Sequence, residues 1–260
     1  MKLGVIGCGK MGSALVGGIL KANLCSPDDI TVFDAYPEAS QRMSESLGVS
    51  AAGSNAEVVD ASEVVLLCVK PQGFAEMLEQ IGDSEDRLLI SIAAGVKINT
   101  IEVGVNQKHR VIRVMPNTPS LVAHGASAFA LGSSANEADA ALTESLLKAV
   151  GYACRVEESD LDAVTAVSGS GPAYIFLMIE ALISGGIEQG LSPEIARDLA
   201  VHTVSGAAEL VLKTGDEPAQ LRENVTSPNG TTFAALESFR SDDFETIVKR
   251  AVNAASDRSK

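Results

Sequence analysis

Through the first half of the chain, short apolar runs alternate with stretches whose apolar residues recur at helical spacing. Residues 3–6, 30–33, 63–69, 87–92 and 110–115 read as strands, and the run at 63–69 is apolar enough for a buried parallel strand. Residues 13–20, 37–47 and 137–149 read as helices, and Ser54-Asn55 opens a further short one. Residues 125–131 and 152–156 read as edge strands flanking the helix at 137–149. Such alternation predicts a doubly wound α/β sheet. It ends near Val156, beyond which the pattern is helical. The chain therefore divides into an α/β domain, residues 1–157, and an all-α domain, residues 158–260.

In the helical half, the small residues of 166–174 predict a hinge, with Pro172 at the first position of a long apolar helix. Gly169 and Gly171 have no strand before them, so they read as close helix packing and not as a second phosphate loop. Ser192 and Pro193 begin a helix over 194–212 as N-cap and first helical residue. That helix is apolar over too much of its circumference to face water, which predicts burial against another copy of the chain. His202 lies within it, with no acid or nucleophile at helical neighbour spacing, and reads as a packed or interface residue. His109 and His124 lie beside loops and show no partner in the sequence.

Composition narrows the ligands. A formal net charge of −14 argues against nucleic acid or an anionic membrane as partner, because phosphate contacts need clustered Lys and Arg. An anionic small molecule must be held by local dipoles and a few placed cations against that field. Cys8, Cys25, Cys68 and Cys154 have neither metal-ligand spacing nor a paired framework, and fit the reducing cytoplasm as free thiols. The first strand begins almost at Met1, leaving no room for a signal peptide. The most apolar run, 173–179, is closed by Glu180 and two glycines, far short of a membrane span.

The strand at 3–6 runs into Gly7-Cys8-Gly9-Lys10-Met11-Gly12 and then a helix, the strand–turn–helix context a dinucleotide pyrophosphate requires. The first glycine makes the turn, the second lets the pyrophosphate reach the backbone, and the third lets helix pack on strand. Asp34 ends the second strand, where a carboxylate accepts from the adenosine ribose and repels a 2′-phosphate, which leans toward NADH; a solvated turn Asp is the bland alternative. Lys70 and Pro71 end the strand at 63–69, and Lys70 can offset a cofactor phosphate or a substrate carboxylate, or stay solvated. Ala93, Ala94 and Gly95 leave room for a ligand after the next strand. In Pro116-Asn117-Thr118-Pro119, the Asn117 and Thr118 side chains can bond a nicotinamide carboxamide or the turn itself.

The other rich stretch is 224–232, Asn-Val-Thr-Ser-Pro-Asn-Gly-Thr-Thr, a loop by its turn dipeptides that leads into an apolar-patterned helix. A helix N-terminus with the hydroxyls of Ser227, Thr231 and Thr232 suits a small carboxylate, or is an ordinary turn capped by Thr231 or Thr232. No Lys occurs between Lys148 and Lys213, and no Ser/His/Asp set or metal cluster appears. Carbonyl redox chemistry needs an acid or base at oxygen. A protonated imine takes hydride at an already electrophilic carbon, and one hydroxyl, Thr232, suffices to orient its nitrogen.

Gly7 to Gly12, Val69-Lys-Pro-Gln, Val114-Met115-Pro-Asn-Thr-Pro, Asp162-Ala-Val-Thr with Ser168-Gly-Ser-Gly-Pro-Ala-Tyr, and Val225-Thr-Ser-Pro-Asn-Gly-Thr-Thr together resemble pyrroline-5-carboxylate reductase over essentially the whole chain. The resemblance implies a Rossmann-type dinucleotide-binding domain, then an all-α dimerisation domain forming an interlocked homodimer, often within a larger ring. It implies reduction of the cyclic imine to L-proline by NADPH or NADH, with a related cyclic imine or a non-catalytic dinucleotide sensor as competing readings. By position it puts Thr232 on the ring nitrogen as the catalytic hydroxyl. It places Ser227 and the backbone at Gly230 and Thr231 on the carboxylate, and Asn224 and Val225 against substrate or nicotinamide. Glu158 would reach the site from the domain junction. Asn55, Val69, Lys70, Pro71, Ala93, Ala94, Gly95, Met115, Pro116 and Asn117 would join the glycine loop in lining the cofactor. Asn229 stands where many members have glycine, and Asp34 replaces the polar or basic residues usual in NADPH-preferring members.

Overall fold

The computed structural model describes residues 1–82 and 84–260. By the density of their internal contacts these form two compact units, Met1–Ser170 with Ala255–Lys260, and Gly171–Ala254. The first unit is built on one eight-stranded sheet: β1 (Leu3–Ile6), β2 (Ile30–Phe33), β3 (Ser50–Ala51), β4 (Val64–Leu67), β5 (Leu88–Ser91), β6 (Arg110–Met115), β7 (Gly125–Leu131) and β8 (Gly151–Arg155). The order is β3-β2-β1-β4-β5-β6-β7-β8. Every pair is parallel except β6 with β7, where Val114 faces Phe129. The chain reverses across the sheet between β1 and β4. Ligands of open parallel sheets bind at such a switch, beyond the carboxyl ends of the strands.

The helices of this unit are α1 (Lys10–Lys21), α2 (Pro37–Leu47), α3 (Asn55–Asp60), α4 (Phe74–Glu79), α5 (Ile98–Gly104), α6 (Glu137–Lys148) and α7 (Leu161–Val164). They cover both faces, giving two apolar cores. One gathers Leu15, Val16 and Ile19 of α1 with Val5, Leu66, Ile90 and Val114 of the strands. The other gathers Val58, Phe74 and Ile101 with Ile6, Leu67, Leu89 and Val111. β4 and β5 feed side chains to both cores, so burial on two faces explains their unbroken apolar sequence.

The structure departs from the sequence pattern at three places. β7 is not an edge strand, because β8 pairs beyond it; its reversed direction, set by a return through the turn Thr118–Val122, is what an apolar run cannot reveal. The segment around residue 170, expected as a small-residue break, is helical throughout and lies at the boundary between the two units. α7 continues through a π-helical turn at Thr165–Gly169 into α8 (Gly171–Glu188), with the Ser170 amide on the Thr165 carbonyl. Gly169 serves that run by packing, since a Cβ there would fall 2.4 Å from the Met115 terminal methyl. His109 is buried and partnered, its Nδ1 accepting from the Arg87 amide at 3.2 Å. His124 Nδ1 likewise lies 2.9 Å from the Val122 carbonyl.

The second unit holds α8, α9 (Pro193–Thr214), α10 (Pro218–Asn224), α11 (Thr231–Ser241) and most of α12 (Phe244–Ser259). Ser192 caps α9 by accepting from the Ile195 amide, ahead of Pro193. α8 and α9 pack at small residues, with Gly186 against Ala196. Only Ala196 and Ala200 of this unit are buried within the single chain. Phe176, Leu177, Ile195, Leu199 and Leu212 are exposed. A set of helices this apolar outside has its core elsewhere.

Candidate functional site: a dinucleotide cleft and a hydroxyl-lined helix start

The switch point opens into a cleft of about 620 Å³ lined by Gly7 to Gly9, Phe33 to Tyr36, Arg42, Asn55, Cys68 to Lys70, Gln72 and Gly73. Gly7 takes φ +104°, and a Cβ there would lie 2.6 Å from the Cys68 carbonyl, so only glycine makes this turn. A Cβ on Gly12 would lie 2.3 Å from the Gly7 carbonyl, so its absence brings α1 onto the loop. A Cβ on Gly9 meets nothing within 4 Å: the space above the N-cap of α1 is open, and a side chain would fill it. The unpaired first amides of α1 give that space a positive potential suited to a pyrophosphate.

Asp34 is fixed more firmly than a solvated turn residue. One carboxylate oxygen accepts from the Cys8 amide at 2.7 Å and the other from the Tyr36 amide at 2.9 Å. The carboxylate therefore braces the glycine loop while lining the cleft. Asn55, itself buried, donates to Gln80 at 2.8 Å, and its Oδ1 is buried with no partner. An orphaned acceptor in the cleft wall fits a ligand that brings a donor. Burial pushes the Cys8 thiol up to about 11 and the Cys68 thiol higher still, so both are inert packing at the cleft floor.

The other predicted cofactor positions follow β4, β5 and β6 at the same sheet edge. Val69 and Lys70 line the cleft, and Pro71 begins the short turn Pro71–Gly73. Ala93 is buried, Ala94 and Gly95 are exposed, and Gly95 takes φ +76°. Pro116 and Asn117 are buried beside Met115. The Asn117 amide is engaged within the protein: Nδ2 donates to the Ser168 carbonyl at 3.0 Å and Oδ1 accepts from the Ala126 amide at 2.8 Å. Glu158 Oε1 accepts from the Ile98 amide at 2.7 Å and from buried Arg113 at 3.1 Å.

In the helical unit the loop is shorter than its composition suggests. Asn224 closes α10, and Thr231 and Thr232 lie in the first turn of α11, whose N-cap is Gly230 with no side-chain cap. The turn from Ser227 to Gly230 is closed by the Gly230 amide on the Ser227 carbonyl at 3.0 Å. Pro228 and then Asn229 at φ +58° occupy its centre, which explains why glycine also suits position 229. Ser227 Oγ sits over Gly230, 2.3 Å from where a Cβ would be. The first backbone bond of α11 runs from the Ala234 amide to the Gly230 carbonyl, which leaves the amides of Thr231, Thr232 and Phe233 without a helical acceptor. Thr232 is half-buried, and Val225 is exposed. Hydroxyls and amides thus converge on one helix start, the arrangement that suits a carboxylate.

Residues 158–260 match the family model described as pyrroline-5-carboxylate reductase dimerisation, and residues 2–95 match NADP oxidoreductase coenzyme F420-dependent. Across its full length the chain is 41% identical to the pyrroline-5-carboxylate reductase of Methanosarcina acetivorans, covering 97% of that protein. The chain belongs to the pyrroline-5-carboxylate reductase family. The same enzyme of Pseudomonas aeruginosa is also 41% identical, with 99% of this chain and 95% of the relative covered. Among solved structures, a pyrroline-5-carboxylate reductase of Coxiella burnetii superposes with a TM-score of 0.93 at 35% identity, over 99% of this chain and 97% of that one. That of Plasmodium falciparum, with NADP bound, superposes with a TM-score of 0.88 at 33% identity, over 100% and 97%. Like other pyrroline-5-carboxylate reductases the chain is an NAD(P)H-dependent oxidoreductase, and its helical part is a dimerisation domain. The run Glu158–Glu188 is long and apolar enough to cross a membrane by length and composition, with 6% of its most apolar window buried. The expectation of a run far short of a membrane span is corrected by that length, because α8 carries the helix past Glu180 and the two glycines.

Sequence reasoning missed what Glu158 and Asn117 hold. Glu158 holds Ile98 and Arg113, 60 and 45 residues away, and Asn117 holds Ser168, 51 residues away, separations at which no local pattern carries the pairing.

Proposed function

We infer that this protein reduces 1-pyrroline-5-carboxylate to L-proline by hydride transfer from NAD(P)H, the last step of proline biosynthesis. Full-length membership in the family is the observation that carries this. The reduced nicotinamide, when bound, supplies hydride to the carbon of the C=N bond. The chain's own residues bind and orient. The glycine loop and the N-terminus of α1 take the pyrophosphate, Asp34 the adenosine ribose, and Asn55 Oδ1 a donor of the ligand. Lys70 offsets phosphate charge, residues 93–95 offer small side chains to the nicotinamide end, and residues 115–117 offer backbone there.

In the helical unit, the Thr231 amide and Ser227 hold the substrate carboxylate beside the Gly230 N-cap, with Asn224 and Val225 against the ring. The Thr232 hydroxyl bonds the ring nitrogen and fixes which carbon faces the cofactor. No strong acid is required, because the protonated imine already carries the positive charge. Asp34 leans the cofactor choice toward NADH: a 2′-phosphate would stand beside a carboxylate that two backbone amides prevent from turning away. The protein works in the cytoplasm, as a homodimer that can build a ring of dimers.

Oxidation of NADH and NADPH with pyrroline-5-carboxylate tests the activity directly. Thr232→Ala should lower kcat by roughly tenfold or more, the loss of one positioned hydrogen bond in the transition state, while dinucleotide binding survives. Unchanged turnover in that variant removes Thr232 from the chemistry.

A further inference from the structure

We propose that Glu158 is a positioning residue for the nicotinamide end of the cofactor cleft, acting through the loop between β5 and α5 and touching neither substrate nor cofactor. The inference rests on the reading above that residues 93–95 line the cofactor. β4 and β5 are parallel neighbours, with Leu67 beside Ser91. The loop after β5 therefore leaves the sheet at the edge where Val69 and Lys70 line the cleft.

Ala93 and Val96 anchor the loop to the core, but little holds the residues between and after them. Ala94, Gly95 and Lys97 are exposed, and Gly95 has the left-handed backbone that a non-glycine residue resists. Its internal bonds are long, the Val96 amide on the Ala93 carbonyl at 3.4 Å and the Ala93 amide on Ser91 Oγ at 3.3 Å. Lys97, the N-cap of α5, makes no side-chain cap. The missing cap comes from 60 residues away, as Glu158 Oε1 accepts from the Ile98 amide at 2.7 Å. A charged acceptor at a helix start gives the stronger kind of hydrogen bond.

The same oxygen lies 3.1 Å from Arg113 Nη1. Arg113 is buried on β6, beside Ser91 at the end of β5. Its guanidinium needs a carboxylate there. Glu158 meets both needs at once, and it sits in the turn Glu158–Asp160 that leads directly into α7. Loop, central strand and helix entrance are tied at one atom. A residue so engaged controls where the loop rests, and through it how well the nicotinamide end is bound.

The test compares Glu158→Ala with Glu158→Gln, whose Oε1 still accepts from the Ile98 amide. Glu158→Ala should weaken NADH binding about tenfold by titration, the loss of one hydrogen bond to a charged acceptor. It should raise the KM for NADH in parallel, leave the KM for pyrroline-5-carboxylate within about twofold, and speed amide exchange at Ile98 by at least about tenfold. Glu158→Gln should recover most of each change. A raised imine KM with unchanged NADH affinity would mean that Glu158 touches substrate, and faster exchange with unchanged affinity would mean a purely structural bond; either overturns the proposal. If Glu158→Ala does not fold, Arg113→Met with Glu158→Ala leaves no unpaired buried guanidinium and is read in the same way. Titration and exchange need no turnover. Wild-type protein that binds NADH but reduces no pyrroline-5-carboxylate would sink the catalytic reading and leave this one to stand or fall separately.

Discussion

At Asp34 one carboxylate has two duties that pull a substitution in opposite directions. In the proposed cofactor pose it faces the ribose and would repel a 2′-phosphate, and it holds the Cys8 and Tyr36 amides. Asp34→Ala should therefore raise the ratio of kcat/KM for NADPH over that for NADH, while the dissociation constants of both dinucleotides rise because the loop loosens. An unchanged ratio would take Asp34 away from the ribose. His109 makes a prediction of a different kind. Burial, first, and the nearby Arg87 charge hold its pKa below the ordinary histidine value, so the folded protein keeps the ring neutral. The unfolded chain binds that proton more readily, so His109 favours unfolding as pH falls through the ordinary histidine range and is neutral to stability above it. Melting temperature followed from about pH 8 to about pH 5.5 should fall less in His109→Asn than in wild type. The turn at Gly7 and the close packing at Gly12 were legible in the sequence because their spacing is itself the geometry. The partners of His109, Asn117 and Glu158 were not, since each bond joins segments that only the sheet brings together.

Among elements, α1 meets the glycine loop at backbone distance. A Cβ on Gly12 would meet backbone, the Gly7 carbonyl at 2.3 Å, which cannot swing aside as a side chain can. Gly12→Ala should cost about 1–3 kcal/mol of stability by overpacking and weaken dinucleotide binding more than about tenfold, read by chemical denaturation and by NADH titration. Helices and parallel strands could be read from periodicity because burial on one face or two writes itself into apolar spacing. The π-helical turn at Thr165–Gly169 could not. Ser168 and Gly169 there, with Pro172 just beyond, suggest a break by local propensity, yet Gly169 packs on Met115 and the Ser168 carbonyl takes the Asn117 amide, so tertiary contacts carry the helical run through. The short strand β3 and helices α4 and α5 also escaped, being two, six and seven residues long. Elements of that length hold too few turns or alternations to show a period.

For the whole molecule, the division of labour follows from where burial occurs. The nucleotide-binding unit carries its own cores, whereas the helical unit leaves Phe176, Leu177, Leu199 and Leu212 exposed in the single chain. Phe176→Glu combined with Leu177→Glu should give monomers by light scattering and lose turnover, because the dimerisation domain loses the apolar face that covers it. Retained assembly would place the interface on other helices. The two units are joined twice, near residues 170 and 254, since the last six residues belong with the first unit, and Ser259 there bonds Asp162 at 2.7 Å. Both junctions fall inside helical runs, the one leading into α8 and the one within α12. The helical unit is in that sense an insertion. A chimera grafting it onto the nucleotide-binding unit of a relative must therefore match helix phase at two seams, near residues 170 and 254.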